Sequence, residues 1–249
     1  MSKRGQVTIF VIIGIIILAS VFAFLSFNKE TKTIAEEPLI LNTEPITDWV
    51  EQCLITTTKE AIPENGYNGG YFQTQYNVPF FNNVPYYIYE NESYLPTVEL
   101  FQEQMQEYIY YYLDLCLDFS PFEKEGYVIT SSIPESNVII TPNKIISNLI
   151  MNLEIKKGNY INEISQFRVE IPDQQLYYNI MAVNNVFSES KTESLCLSCF
   201  AEEGSKENLT FNIEPLENNT YLIQMQNHNY IFDFVDYTLN FMLKYEENE

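Results

Sequence analysis

The alternation of apolar and polar residues divides the chain into one long apolar run and a much longer segment of mixed pattern. Residues 7–25 are apolar apart from Thr8, Gly14 and Ser20, and they carry no charge. As an α-helix rising about 1.5 Å per residue, the run would span roughly 28 Å, close to the hydrocarbon thickness of a bilayer. Lipid offers backbone groups no other partners, so the run predicts a single transmembrane helix.

The pattern beyond residue 45 predicts an α+β fold, with amphipathic helices packed on an antiparallel sheet. Helical spacing predicts three helices: one with its N-cap at Thr47 or Asp48 that ends at Pro63, one from Pro96 to about Asp118, and one capped by Asp173. Between the first two lies an irregular segment rich in Tyr and Phe. Period-two alternation predicts strands at residues 127–131, 137–141, 144–155, 166–171, 209–213, 221–226 and 230–237, with a hairpin turn at 227–229.

These elements predict four parts. Residues 1–6 are a cytoplasmic N-terminus, 7–25 a transmembrane helix, 26–45 a polar stalk and 46–249 an extracytoplasmic domain. Basic residues on the two sides of the span are nearly balanced, but long downstream domains are exported largely regardless of charge. We therefore expect a single-pass cell-membrane protein with its N-terminus inside. The alternative is a cleaved secretory signal, with residues 21–23 as a small-residue cleavage site.

The charge of the chain limits its partners. Its 34 acidic and 13 basic residues give a net charge of −21, and hydrophobic residues make up 46% of its 249 positions. The apolar content predicts a folded domain. Nucleic acid is excluded as a partner because its phosphates need clusters of Lys and Arg. The same charge repels the domain from an anionic lipid surface, so the domain is expected to stand off the bilayer that anchors it.

All four cysteines follow the apolar run, and their even number suits disulfides in an oxidising compartment. Cys53 and Cys116 each lie on the apolar stripe of a predicted helix. A bond between them would clamp two antiparallel helices, and the alternative is two buried free thiols.

Cys196 and Cys199 form a Cys-Leu-Ser-Cys motif. This spacing is typical of a local disulfide, a redox dithiol or half of a zinc site. The single histidine, His228, and the lack of a second such pair argue against zinc. A local structural disulfide is the first interpretation, and redox chemistry and metal binding remain alternatives.

Other chemistry is sparse in the sequence. His228 is expected to be an exposed turn residue, and no spacing indicates a catalytic constellation, so neither a cofactor nor an enzymatic activity is predicted. Three Asn-X-Ser/Thr sequons at Asn91, Asn208 and Asn218 are candidate glycosylation sites on the expected outer side.

Two tyrosine clusters have two possible interpretations. Exposed tyrosines suit carbohydrate or protein recognition, because the ring is rigid and amphipathic, whereas buried ones would build the core. The clusters are Tyr86, Tyr87 and Tyr89, and Tyr108 with Tyr110, Tyr111 and Tyr112.

The N-terminal sequence from Lys3-Arg4-Gly5-Gln6 to Phe10 resembles the class III, type IV pilin-like signal of archaeal surface proteins. The resemblance implies cleavage between Gly5 and Gln6 and retention of residues 7–25 as the mature anchor. Type IV pilins typically carry Glu at the fifth mature position, where this chain has Phe10.

Most of the remaining chain resembles uncharacterised single-pass surface proteins of small-genome archaea, a resemblance that implies no known activity. It rests on residues 49–54, 66–71, 110–117 and 167–171.

Taken together, these features support the hypothesis of a membrane-anchored archaeal surface protein acting in adhesion or envelope interaction, with a surface protein or a glycan as partner. The alternatives are a subunit of a pilus-like filament and, less favoured, an envelope redox protein or enzyme. The sequence leaves the oligomeric state open.

Overall fold

The computed structural model describes residues 41–75, 77–90, 92–189, 194–232 and 235–246, and residues 41–249 form one compact unit. The predicted signal, the transmembrane helix and residues 26–40 of the stalk lie outside the described residues. The helices are α1 (Glu44–Tyr67), α2 (Val98–Cys116), α3 (Ser120–Lys124), α4 (Leu176–Glu189) and α5 (Leu197–Glu207). The strands are β1 (Phe80–Phe81), β2 (Val84–Tyr89), β3 (Glu92–Ser93), β4 (Val128–Ser131), β5 (Glu135–Ile140), β6 (Lys144–Lys157), β7 (Tyr160–Pro172), β8 (Thr210–Pro215), β9 (Thr220–Phe232) and β10 (Val235–Lys244).

Helix α1 begins earlier and ends later than the sequence predicted. Thr43 is its N-cap, so the helix starts within the predicted stalk, and Pro45 occupies the first turn, where a missing N–H costs nothing. Pro63 does not stop the helix, which runs on to Tyr67. The last turn is held by packing, since Asn65 and Gly66 are buried and Gly66 lies against strand β10.

Helix α2 is capped by Thr97, whose hydroxyl accepts the Leu100 N–H at 3.1 Å. Its fully buried stripe includes Phe101, Met105, Ile109 and Leu113. Tyr112 lies on the same side of the helix by its spacing, yet it is 39% exposed.

A disulfide joins Cys53 of α1 to Cys116 of α2, with 5.6 Å between the Cα atoms. It closes a loop of 63 residues, which in the chain-entropy model contributes roughly 4 kcal/mol to stability. The structure thus contains the predicted clamp between two antiparallel helices.

Two sheets complete the core. In one, β6 pairs along its whole length with β7, while β4 and β5 share its other edge. The other has the order β1-β2-β10-β9-β8, with β3 against β2. Helix α1 contacts both sheets, α2 packs on β5, and α4 and α5 pack on each other. The α+β class is confirmed.

The second sheet differs from the prediction in three respects. The single strand predicted over residues 230–237 is divided between β9, which ends at Phe232, and β10, which begins at Val235. Strand β9 runs unbroken through Asn227, His228 and Asn229, so the predicted hairpin turn there is wrong. Asn227 is buried, and its amide donates to Asn179 Oδ1 at 2.8 Å and Gln175 Oε1 at 3.0 Å, which satisfies it within the strand. Strands β2 and β10 pair in parallel, whereas the prediction was purely antiparallel.

Within the part of the chain that the structure describes, no helix is both long and apolar enough to cross a membrane.

Gly70 and Gly126 provide a matched test of core packing. Their φ angles are +85° and +88°, so both favour glycine equally. A Cβ at Gly70 would lie 2.7 Å from the Phe101 ring, whereas one at Gly126 would meet nothing within 4 Å. We expect Gly126→Ala to cost about 1–2 kcal/mol of unfolding free energy from backbone strain alone, and Gly70→Ala to cost about 1–3 kcal/mol more. Urea unfolding of both variants measures this difference, and equal losses would contradict the packing against Phe101.

Candidate functional site

A cluster of aromatic rings lies on the second half of α2 and the segment after α1. We call it the tyrosine face: Phe72, Tyr108, Tyr110, Tyr111 and Tyr112. The Phe72 ring lies 5.4–5.8 Å from the rings of Tyr108, Tyr111 and Tyr112, centroid to centroid. Tyr110 and Tyr111 are 50% and 52% exposed. The rings thus form a supported, outward aromatic surface.

Local structure fixes the geometry of this face. Tyr108 and Tyr112 are one helical turn apart, and their rings lie 4.5 Å from each other. Phe72 is held against them because its N–H donates to the buried Oε1 of Gln104 at 2.9 Å.

The other tyrosine cluster belongs to the core. Tyr87 is fully buried, stacks on Phe241 at 4.4 Å and donates its hydroxyl to the Gly69 carbonyl at 2.9 Å. Tyr86 is buried, and Tyr89 is half-buried under Lys244. The first cluster is therefore largely buried, whereas the second is exposed at Tyr110, Tyr111 and Tyr112.

Tyr108 also lines an open cleft of about 770 Å³. One wall is the outer side of α1, and the other is formed by the ends of β7 and β9. The lining side chains combine ring faces with hydrogen-bonding groups. They are Gln52, Ile55, Thr56, Lys59, Glu60, Pro63, Glu64, Tyr108, Ile171, Pro172, Asp173, Tyr230, Ile231 and Phe232.

The cleft is electronegative beside Tyr108. Burial and, to a smaller extent, the carboxylates of Glu60 and Glu64 together raise the pKa of Tyr108 to about 12. Both carboxylates are exposed and face solvent in the cleft. A neutral or cationic group is therefore favoured here over an anion.

Asp173 and Tyr230 form the polar floor of the cleft. Asp173 Oδ1 accepts the N–H groups of Gln175 and Leu176, both at 2.9 Å, and so caps α4 as predicted, although the helix starts at Leu176. The Tyr230 hydroxyl donates to Asp173 Oδ2. Burial, together with the Asp173 charge, holds the pKa of Tyr230 well above its usual value. These contacts make the pair a structural support, because both carboxylate oxygens are already engaged.

Cys196 and Cys199 are bonded to each other and lie at the start of α5, a helix that the sequence analysis missed. Cys196 is the N-cap, and its Sγ accepts the Cys199 N–H at 3.2 Å. Both residues are half-exposed. Cysteine is not one of the residue types that usually mark a helix N-cap, so the sequence held no clear signal for the start of this helix.

The remaining candidate residues are dispersed. Asn208 ends α5 with φ 56°, and Asn218 lies in the β8–β9 turn with the same φ; both are exposed. Asn91, Gly5 and Gln6 lie outside the described residues. His228 is exposed as predicted but belongs to β9, where its ring pairs with Asp236.

Among the described ranges, no group of three or more His, Cys, Asp or Glu side chains is arranged to hold a metal ion. Comparison with protein-family models, curated proteins and solved structures finds no match to this chain.

Alkaline titration tests the burial of the tyrosines. The pKa values of Tyr71, Tyr108 and Tyr245 are each raised to about 12, with burial as the largest cause, whereas tyrosines of an unfolded chain ionise near ~10. The unfolded state therefore releases these protons first as the pH rises. We expect the free energy of unfolding to fall between about pH 10 and 12, as measured by urea unfolding across that range.

The double variant Glu60→Gln/Glu64→Gln isolates the electrostatic effect of the two cleft carboxylates on Tyr108. It should lower the pKa of Tyr108 and leave that of Tyr71 unchanged, because Tyr71 is shifted by burial alone. Tyrosine ¹³Cζ NMR titration separates the two rings, and an unmoved Tyr108 would contradict the electronegative cleft.

Proposed function

We propose that this chain is a membrane-anchored surface protein of an archaeal cell, and that its outward domain acts in adhesion or envelope interaction. Residues 7–25 are the anchor, inserted with the N-terminus in the cytoplasm. The observation that carries the binding role is the tyrosine face, in which exposed rings adjoin an open cleft at Tyr108.

Two further features support an outward location. The described domain contains two disulfides, which persist in oxidising compartments and are rare in the cytosol. The sequons at Asn208 and Asn218 are exposed and accessible to glycosylation.

The composition of the site favours a glycan or a protein surface as partner. Tyrosine rings supply rigid contact area at low entropic cost, and the carboxylates and amides of the cleft accept and donate hydrogen bonds. Anionic polymers are disfavoured by Glu60, Glu64 and the net charge of −21.

Membrane fractionation with protease shaving of intact cells tests the topology. The full chain should stay with the membrane after carbonate washing, and added protease should remove the domain from intact cells. A domain protected until lysis would overturn the proposal.

Electron microscopy of sheared surface material tests the alternative of a pilus-like subunit, since an anchored monomer yields no filaments.

Paired tyrosine variants test the binding surface. Full-length protein in fluorescent liposomes should bind isolated envelopes of the source cell, and Tyr110→Ser/Tyr111→Ser should weaken this binding at least about tenfold, because exposed aromatic anchors dominate such interfaces.

The matched control is Tyr160→Ser/Tyr178→Ser, which removes two tyrosines that are 41% and 46% exposed on other elements. The control should bind as the parent does. Equal loss in both variants, or no loss in either, would refute the role of the tyrosine face.

A further inference from the structure

The two disulfides of this protein occupy opposite environments. Cys53–Cys116 joins two helices across 63 residues, and Cys53 is 2% exposed. Cys196–Cys199 spans three residues within one helical turn, and both sulfur-bearing residues are half-exposed. The first bond restrains the fold, whereas the second closes too short a loop to restrain much of it. A structural role therefore accounts poorly for the second pair.

The position of Cys196 favours sulfur chemistry. As N-cap of an eleven-residue helix, it places Sγ beside the first turn, where the Cys199 N–H donates both to this sulfur and to the Cys196 carbonyl. A thiolate at this sulfur would keep that donor and gain from the helix dipole. No equivalent hydrogen bond to Cys199 Sγ is present in the described structure, so the two sulfurs are inequivalent.

A groove of about 400 Å³ lies beside the first turns of α5, and its lining includes Ser205 and Thr210 as well as apolar side chains. Leu197 and Phe200, the residues directly after the two cysteines, line it together with Leu209, Phe211 and Ile213. Leu197 is 62% exposed. The far wall is β8, the last strand of its sheet, which pairs only with β9 within the described residues. An open strand edge beside apolar side chains suits an extended polypeptide.

We propose that Cys196–Cys199 is a thiol–disulfide exchange site, and that its partner is an extended polypeptide segment carrying a cysteine pair. The segment lies in the groove along β8, which brings its thiol to Cys196. This activity is separate from the binding role of the tyrosine face.

The exchange balances without another reactant. A partner thiolate attacks Cys196 Sγ, the Cys196–Cys199 bond breaks, and Cys199 leaves as a thiolate. The second partner thiolate then attacks the partner sulfur of this mixed disulfide and releases Cys196 as a thiolate at the helix N-terminus. Two electrons pass from the partner dithiol to this pair. The partner thiols lose two protons, and Cys196 and Cys199 gain two.

Single-cysteine variants of the full-length chain test the assignment. Cys199→Ser retains the Cys196 thiol, and Cys196→Ser retains the Cys199 thiol. The reagent is a synthetic peptide with one cysteine flanked by valines, used as its disulfide-linked dimer. Each variant is mixed with this dimer. Mass spectrometry follows the mixed disulfide. We expect Cys199→Ser to react at least about tenfold faster than Cys196→Ser, because Cys196 carries the stabilised thiolate.

In the unmodified chain, mild dithiothreitol should reduce Cys196–Cys199 while Cys53–Cys116 remains bonded.

Leu197→Ser tests the groove in the Cys199→Ser background. It should slow the reaction with the valine peptide but not that with oxidised glutathione, which is too small to fill the groove. Leu115→Ser, which changes a leucine that is 79% exposed on α2, is the matched control and should slow neither reaction. Circular dichroism checks that every variant is folded. Equal rates for the two single-cysteine variants, or reduction of Cys53–Cys116 before the other pair, would overturn the proposal.

Discussion

The disulfide between Cys53 and Cys116 sets the register on which the candidate binding site depends. In an antiparallel helix pair, each step forward along α1 matches a step backward along α2. Tyr108 lies eight residues before Cys116, and Glu60 lies seven residues after Cys53, so the two are roughly 12 Å and roughly 10 Å from the bond along their helix axes. The carboxylates of α1 therefore face the ring that joins the cleft to the tyrosine face. A slip of one turn would separate them, and the covalent bond forbids it.

Local chemistry in the sequence predicted much of the domain. Asp173 caps α4 through two backbone N–H groups, and period-two alternation located strands β4 to β7, because both signals are confined to a few neighbouring residues. The pairing of Cys53 with Cys116 followed from their shared place on two amphipathic stripes. Helix boundaries were less accurate, since the turns around Pro45 and Pro63 are held by tertiary packing.

The cleft was beyond sequence reasoning because it combines three distant segments. Glu60, Asp173 and Tyr230 meet only when α1 lies across the ends of β7 and β9, and no spacing along the chain encodes that contact. The same limit explains the error at Asn227. Two asparagines around a histidine are typical of a turn, but the side chains that keep Asn227 in a strand lie about 50 residues earlier, at Asn179 in α4 and at Gln175 just before it.

Acidity and aromatic recognition are compatible in this domain because they act at different ranges. The net charge of −21 sets the long-range field, which repels anionic polymers and is screened over roughly 8 Å at physiological salt. At contact, the tyrosine face offers ring area whose attraction does not depend on ionic strength. Binding through the rings alone would therefore persist in high salt, whereas binding through Glu60 and Glu64 would weaken. The salt dependence of envelope binding thus separates an uncharged glycan on the tyrosine face from a basic protein surface in the cleft.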